Sequence, residues 1–334
     1  MRIFHLRPAL QLRPFIDRFW GWQSPEFPAS ARNPGQASIP LPLLLPGTGA
    51  EIYFHREAPF QALASAAANG EARNTREEIP PPAQVLPDAH LLALRRRVLH
   101  LLPAPRVDFI AVRFRAGMIH RFTPIPGAEL ADAPLTPRDL WGPAGAALAA
   151  RLAETPSLPA RAALLHAFLG ARLRPEAPDA LAEAAVDRLY RQSPAGAPWA
   201  GDAAGRNGKS AIDVTPDGEM ADAGIDRLAA GLGLGRRQLE RRVGALTGLA
   251  PVAWKRLVRL QKTARRLALA PDASLTDTAL ALGYYDQAHC IRDFRVLAGL
   301  TPGQYRALLA GRTHFYNPPG SSAGILTTPS PTSR

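Results

Sequence analysis

The sequence predicts an α+β chain: a mainly β N-terminal part, then helices, then an all-α C-terminal part holding two helix-turn-helix units. Three observations predict it. Short apolar and aromatic runs, punctuated by Pro and Gly, fill the first third. Ala- and Leu-rich stretches with helical spacing follow from Pro137. From about Asp222 the chain is helical and strongly basic. Ile225 to Arg312 holds 15 Lys+Arg and 6 Asp+Glu, a net of +9 out of +12 for the whole 334 residues. A cationic excess gathered in about a quarter of the chain points to a polyanionic partner and not to a uniformly basic protein.

Composition excludes several classes. A length of 334 residues suits two domains plus linkers, and 46% hydrophobic residues suffice for real cores. One cysteine, Cys290, cannot form an internal disulfide, which removes disulfide-stapled secreted folds. No uninterrupted apolar run reaches the roughly 18 residues of a membrane span. Arg2, His5, Arg7 and Pro8 interrupt the start, so no signal-peptide core is present there. The expectation is a soluble, cytoplasmic protein without a membrane partner. Arg outnumbers Lys 37 to 3, a bias that genome composition explains as well as function does.

The first unit, 1–136, is read as β-rich. Its strands fall at Phe15–Trp22, Glu51–His55 and Val107–Arg115, the last alternating apolar and charged residues near its end. Ala67 to Leu86, with Pro80, Pro81 and Pro82, is read as a loop or an insertion. A helical connector spans 137–178. Leu148 and Leu152 share one face, and Ala160, Leu164, Leu165, Phe168 and Leu169 another. These two helices are expected to pack against the sheet or to dimerise. The third unit, 179–312, opens with an amphipathic helix, Asp179 to Gln192, whose inward face is Leu181, Ala185, Val186 and Leu189. Residues 193–221, rich in Gly, Pro and Asp, read as a flexible insertion. Residues 313–334 read as a disordered tail.

Inside the basic segment, Ile225, Leu228, Ala229 and Leu232 form a short apolar face ahead of the turn Gly231-Leu-Gly-Leu-Gly235. The next helix buries Leu239, Val243 and Leu246 and leaves Arg236, Arg237, Glu240 and Arg241 outward. A longer helix starts at Pro251 with Trp254, Leu257, Val258 and Ala264 facing in. Its other face carries Lys255, Arg259, Lys262 and Arg266. The design then recurs. Ser274 and Asp277 mark a helix start, Leu275, Ala279 and Leu280 an apolar face, and Gly283 a helix end. The second outward helix starts near Asp286, turning Cys290, Phe294 and Leu297 in and Gln287, Ile291 and Arg292 out. Thr301-Pro-Gly-Gln304 opens a last short helix. A linking helix of about 18 residues is roughly 27 Å long. Successive major grooves on one face of DNA lie about 34 Å apart, so such a strut can place two recognition helices in adjacent grooves.

At these residues the chain resembles the DNA-binding domain of the AraC/XylS family of bacterial transcription regulators. The matching runs are Leu234-Gly-Arg-Arg-Gln-Leu-Glu-Arg-Arg242, Ala279-Leu-Ala-Leu-Gly-Tyr-Tyr-Asp-Gln-Ala-His-Cys-Ile-Arg-Asp-Phe-Arg295 and Gly299-Leu-Thr-Pro-Gly-Gln-Tyr-Arg306. The Asp179–Gln192 helix resembles the family's first helix, displaced by the insertion. The N-terminal half is similar to the uncharacterised sensor-like domain of one subset, at Pro14–Trp22, Leu45-Pro-Gly47 with Glu51–Phe54, and Val112–Gly117. Gly235 stands where the family has Ser or Thr as helix cap, and Val243 and Cys290 stand where Phe is usual, so a repacked or less stable domain is expected.

The resemblance implies a transcription factor that reads double-stranded DNA with Arg236, Arg237, Glu240 and Arg241 of one helix and Gln287, Ile291 and Arg292 of the other. The side-chain types suit base edges: Arg for guanine, Gln for adenine, Glu for cytosine N4, Ile for the thymine methyl. Lys255, Arg259 and Lys262 are expected to serve phosphates or to face solvent. The β-rich half is read as the part that senses a small-molecule effector or forms a homodimer. Regulation would proceed by contacting RNA polymerase or occluding it.

Other signals are weaker. Cys290 beside His289 reads as a core thiol and not a nucleophile, because neighbours on a helix do not face each other. The eight histidines form no ligand pair, so no metal is expected, and Gly231–Gly235 is not a dinucleotide fingerprint, so no cofactor is expected. Trp20, Trp22 and Tyr53 read as β-domain core before they read as a ligand pocket. Two rivals remain. A non-specific architectural DNA binder would show a steep salt slope and no sequence preference. An enzyme in residues 1–178 targeted by a DNA-binding module would need a nucleophile or metal cluster, and neither stands out there, so no catalytic residue is assigned.

Overall fold

A computed structural model describes residues 2–24, 38–64, 83–191 and 219–309. The insertion expected at 193–221 lies almost entirely outside them, as do the tail at 313–334 and most of Ala67–Leu86.

Among the described residues, nine strands form two antiparallel sheets. The first holds β1 (Arg2–Leu6), β2 (Ile16–Gln23), β4 (Ala50–His55), β7 (Ala89–Leu92) and β9 (Asp108–Phe114) in the order β1-β2-β9-β4-β7. The second holds β3 (Leu43–Leu44), β5 (Gln61–Ala64), β6 (Gln84–Val85) and β8 (Leu99–Leu101) in the order β3-β8-β5-β6. The three strands expected from the aromatic runs are β2, β4 and β9, which are neighbours at the centre of the first sheet. All six residues of β4 are buried. A strand covered on both faces loses the polar alternation of a half-exposed one.

One face of that sheet meets helices α2 (Pro137–Glu154) and α3 (Leu158–Arg172). Phe19, Ile52, Leu91, Ile110, Val112 and Phe114 pack there against Leu140, Leu148, Leu152, Leu165 and Leu169. The stretch expected as a connector therefore supplies a layer of the N-terminal core. Gly142, with φ +62°, and Pro143 break α2 near its start. Ala160, expected inward, is exposed. Arg161 is buried in its place, and its Nη1 and Nη2 both donate to Asp108 Oδ1 at 3.0 Å. A buried guanidinium is tolerable only with such a partner. The pair ties α3 to the start of β9.

The other face meets the second sheet. Trp20, Trp22, Tyr53 and Phe109 pack with Leu44, Phe60, Ala62 and Leu101. Trp20 and Tyr53 both lie opposite Ala111 in register, and the small residue lets their rings approach to 6.0 Å across it. The aromatic residues are core, as expected.

The C-terminal helices are α4 (Ala180–Arg191), α5 (Glu219–Ala230), α6 (Arg236–Thr247), α7 (Pro251–Leu269), α8 (Leu275–Ala281), α9 (Gln287–Ala298) and α10 (Pro302–Leu309), preceded by a single-turn α1 (Gly127–Leu130). Their shared core joins Ala185, Val186 and Leu189 of α4 to Leu228, Leu239, Val243, Trp254, Leu257, Val258, Phe294 and Tyr305. Leu181 of α4, expected inward, is 36% exposed. Leu280 of α8, also expected inward, is 55% exposed, and Leu282 takes the buried place. Leu43, Leu45, Leu94 and Val98 of the β part complete this core. At the contact, Gln261 Oε1 of α7 accepts from Thr48 N at 3.1 Å and Thr48 Oγ1 at 3.0 Å. A Cβ on Gly47 would lie 1.9 Å from Gln261 Nε2, so a larger residue there would displace that side chain from Thr48. Among the described residues, no helix is long and apolar enough to cross a membrane, and no group of three or more His, Cys, Asp or Glu could hold a metal ion.

His55 and His90 lie between the sheets, stacked 5.4 Å apart and 5% and 0% exposed. Burial drives the pKa of His55 down to about 3 and that of His90 to about 4. Below pH 6.5 the unfolded chain takes up protons that the folded chain refuses. Folding stability is therefore fully present above about pH 6.5 and falls as pH drops towards 4, by up to about 1.4 kcal/mol per pH unit for each histidine. Thermal unfolding midpoints between pH 7.5 and 5 should fall accordingly. The fall should be shallower in His90→Gln, and an equally steep fall would exclude His90 as a cause.

Candidate nucleic-acid interface

The first helix-turn-helix unit is α5, the turn 231–235 and α6. Leu234 N closes the turn on Ala229 O at 2.9 Å, and Gly233 takes φ +67°. Gly235 caps α6 without a side chain. Gln238 Oε1 instead accepts from Gly235 N at 3.2 Å, which offsets part of the missing cap. Leu239 and Val243 are fully buried. The smaller Val243 is thus accommodated by the helices around it. Arg237 and Arg241 are exposed. Arg236 and Glu240 are half-exposed and bound to each other, Arg236 Nε donating to Glu240 Oε1 at 3.0 Å, with Asp226 of α5 3.6 Å from Arg236 Nη1. The free positive charge of this face therefore comes from Arg237 and Arg241.

α6 ends at Gly248, whose φ is +75°. A Cβ there would lie 2.7 Å from Ala128 Cα, so the β part, through α1, abuts the end of this helix. On α4, Glu183 Oε1 lies 2.6 Å from both His120 Nε2 and Arg121 Nε of the β part. Asp179 Oδ2 accepts from Arg242 Nη1 of α6 at 2.7 Å. α4 is thus held to the β part on one side and to α6 on the other.

The second unit is α8, the turn 282–286 and α9. Ser274 Oγ accepts from Asp277 N at 3.3 Å and Asp286 Oδ1 from His289 N at 2.6 Å, so both helices start on side-chain caps. Gln287 and Arg292 are exposed and Ile291 is half-buried. Thr276 Oγ1 donates to Gln287 Oε1 at 2.8 Å and orients the carboxamide. Between the units runs α7, 19 residues or about 28 Å long.

Two of the expected phosphate contacts hold partners within the domain. Arg259 is spent inside the domain: Nη1 donates to Gly283 O at 3.1 Å and the guanidinium stacks 4.2 Å above the Tyr284 ring. Lys262 Nζ donates to Tyr190 O at 2.6 Å and lies over the Tyr190 ring, while burial pulls its pKa down to about 8. Lys255 is half-buried, and burial, then Arg259 and Arg227, lower its pKa. Sequence reading missed Arg256 and Asp293, which join α7 to α9. The signal was there, since Asp293 falls on the inward stripe of Cys290, Phe294 and Leu297.

A family model described as a helix-turn-helix domain matches residues 228–308. Over 82 residues the chain is 38% identical to the HTH-type transcriptional regulator MtrA of Neisseria gonorrhoeae, covering 25% of this chain and 27% of MtrA. The chain thus spans about a quarter of the length of the curated relative it matches. The C-terminal part of the chain carries an AraC-type helix-turn-helix domain. Among solved structures, the DNA-binding domain of the global transcriptional factor AdpA in complex with a target DNA is 33% identical. That match covers 25% of this chain and 75% of that one, with a TM-score of 0.24. ToxT from Vibrio cholerae is 10% identical over 82% of this chain and 96% of its own, with a TM-score of 0.42.

Within the AraC-type domain Cys290 is fully buried beside Ala279, Leu282 and Tyr284. Burial, then the nearby Asp293 carboxylate, pushes its thiol up to about 11. A thiol kept protonated and shielded reacts slowly. An aromatic disulfide reagent at pH 8 should leave Cys290 unmodified in the folded chain and titrate one thiol in denaturant. Rapid reaction of the folded chain would contradict this placement.

Proposed function

We propose that this chain is a sequence-specific DNA-binding regulator of transcription that reads two adjacent major grooves, and that it is not an enzyme. The observation that carries this reading is the pairing of α6 and α9, each with exposed arginine, on the single α7 strut. Arg237 and Arg241 would contact bases or phosphates from the first helix, with Arg236 and Glu240 shaping that face as a pair. Gln287, Ile291 and Arg292 would read from the second, where Arg suits guanine and a Thr276-oriented Gln suits adenine. Lys255 would be the favoured phosphate candidate of the three first considered, because Arg259 and Lys262 hold partners within the domain. The 38% identity to a transcriptional regulator across this region supports the same reading. The β part, packed on α4, α6 and α7, would report an effector or a second copy of the chain to the DNA-reading helices, and RNA polymerase would be contacted or excluded at the promoter.

Selection of genomic fragments by the full chain at about physiological salt tests this. A shared motif covering two helical turns is expected. Arg237→Ala and Arg292→Ala should each weaken binding to it by about 1–3 kcal/mol and relax preference in one half. Recovery of fragments without a motif, equally by both variants and the parent, would leave only non-specific binding with its steep salt slope.

A further inference from the structure

The two recognition helices are fastened to α7 by different chemistry. α6 lies in the large core, with Leu239 and Val243 fully buried among residues of α4, α5 and α7. α9 enters that core through its C-terminal half, at Phe294, Leu297 and Ala298. Its N-terminal half, the half carrying Gln287, Ile291 and Arg292, meets a cluster of four buried residues, Ala279, Leu282, Tyr284 and Cys290. So small a cluster, with a thiol at its centre, leaves the tilt of that half weakly fixed by packing alone.

A buried carboxylate supplies the missing constraint. Asp293 is 5% exposed. Its Oδ1 accepts from Arg256 Nε at 2.9 Å and Arg256 Nη2 at 2.5 Å. Its Oδ2 faces Arg259 Nη2 at 3.7 Å and Tyr284 Oη at 3.5 Å. Arg259 also donates to Gly283 O, so the same guanidinium holds the turn that precedes α9. Both arginines belong to α7. The pose of α9 against the strut is therefore set by charge-assisted hydrogen bonds of fixed direction. Asp293 is the buried partner of this half-exposed pair, so losing the arginine would leave a buried carboxylate with weaker partners. Arg292, exposed and next in sequence, takes its direction from the residue that anchors the helix.

We propose that Asp293 is the positioning residue for base reading by α9, acting through Arg256 and Arg259 of α7. This rests on the DNA-reading function proposed above. Motif selection and binding by the full chain test it, with Arg292→Ala and Arg237→Ala assigning the two halves of the site. Arg256 is 42% exposed, so Arg256→Ala should fold, and Asp293→Asn removes the charge while keeping the shape. Both variants should lose about tenfold in base discrimination in the half assigned to α9, with the α6 half unchanged. Arg256→Lys should restore part of the loss. Equal weakening of both halves in step with a lower unfolding midpoint would overturn the proposal and leave a structural ion pair, as would unchanged discrimination. A parent chain that selects no motif would remove the DNA-reading function itself, and this role with it.

Discussion

The arrangement depends on α7 remaining one uninterrupted helix. Nineteen residues without glycine, and with proline only at the first position, keep it straight enough to act as a strut. Its inward stripe of Trp254, Leu257, Val258, Leu260, Ala264 and Leu267 belongs to the same core as the first helix-turn-helix unit and the C-terminal half of α9. Each fully buried side chain of that size contributes roughly 1.5–3 kcal/mol, so the stripe holds its neighbours without a polar framework of its own. That frees the polar residues of α7 for other work. Arg256 and Arg259 reach α9, Gln261 reaches the β part and Lys262 reaches α4. One helix thus touches every element that a signal between the halves would have to cross.

The β part is joined to the helix-turn-helix part by two kinds of contact. Leu43, Leu45, Leu94 and Val98 lie in the same apolar core as α4 to α7, and apolar burial holds surfaces together without dictating their exact placement. The directional polar contacts and one close backbone approach dictate it: Gln261 on Thr48, Glu183 beside His120 and Arg121, and Gly248 tight against Ala128. All of these fall on α4, α6 or α7, and none on α8 or α9. A displacement in the β sheets would reach the first reading helix directly and the second only through α7.

The periodic features were legible in the sequence. Central strands, both reading helices and the caps at Ser274, Asp286 and Thr301 follow from local rules that do not need the rest of the chain. What escaped was set by tertiary partners. Ala160 was expected inside because the apolar stripe allowed it, but Asp108, more than fifty residues away, draws Arg161 into the core instead. Leu280 fits the apolar stripe of α8, yet the chain turns so that Leu282 takes the buried place. Arg259 and Lys262 have the spacing of a solvated basic face. Periodicity could not reveal Tyr284 and Tyr190, the rings that hold them.

The charge of the basic domain therefore divides into two populations that composition does not distinguish. Arg242, Arg256, Arg259 and Lys262 are bound to acceptors within the fold, and Arg236 is largely neutralised by Glu240 and Asp226. Arg237, Arg241 and Arg292 are exposed on α6 and α9. The net of +9 over the segment already subtracts its six carboxylates, and a hydrogen bond to a carbonyl leaves a cation's charge in place, so the two populations differ in which side chains are free to reach outward and not in the sum. The long-range field that draws a polyanion depends on the whole sum, whereas the contacts that discriminate bases need the exposed few. Attraction and reading are then carried by different arginines. On the proposed function, the bound set would act on reading by fixing where the helices that bear the exposed set point.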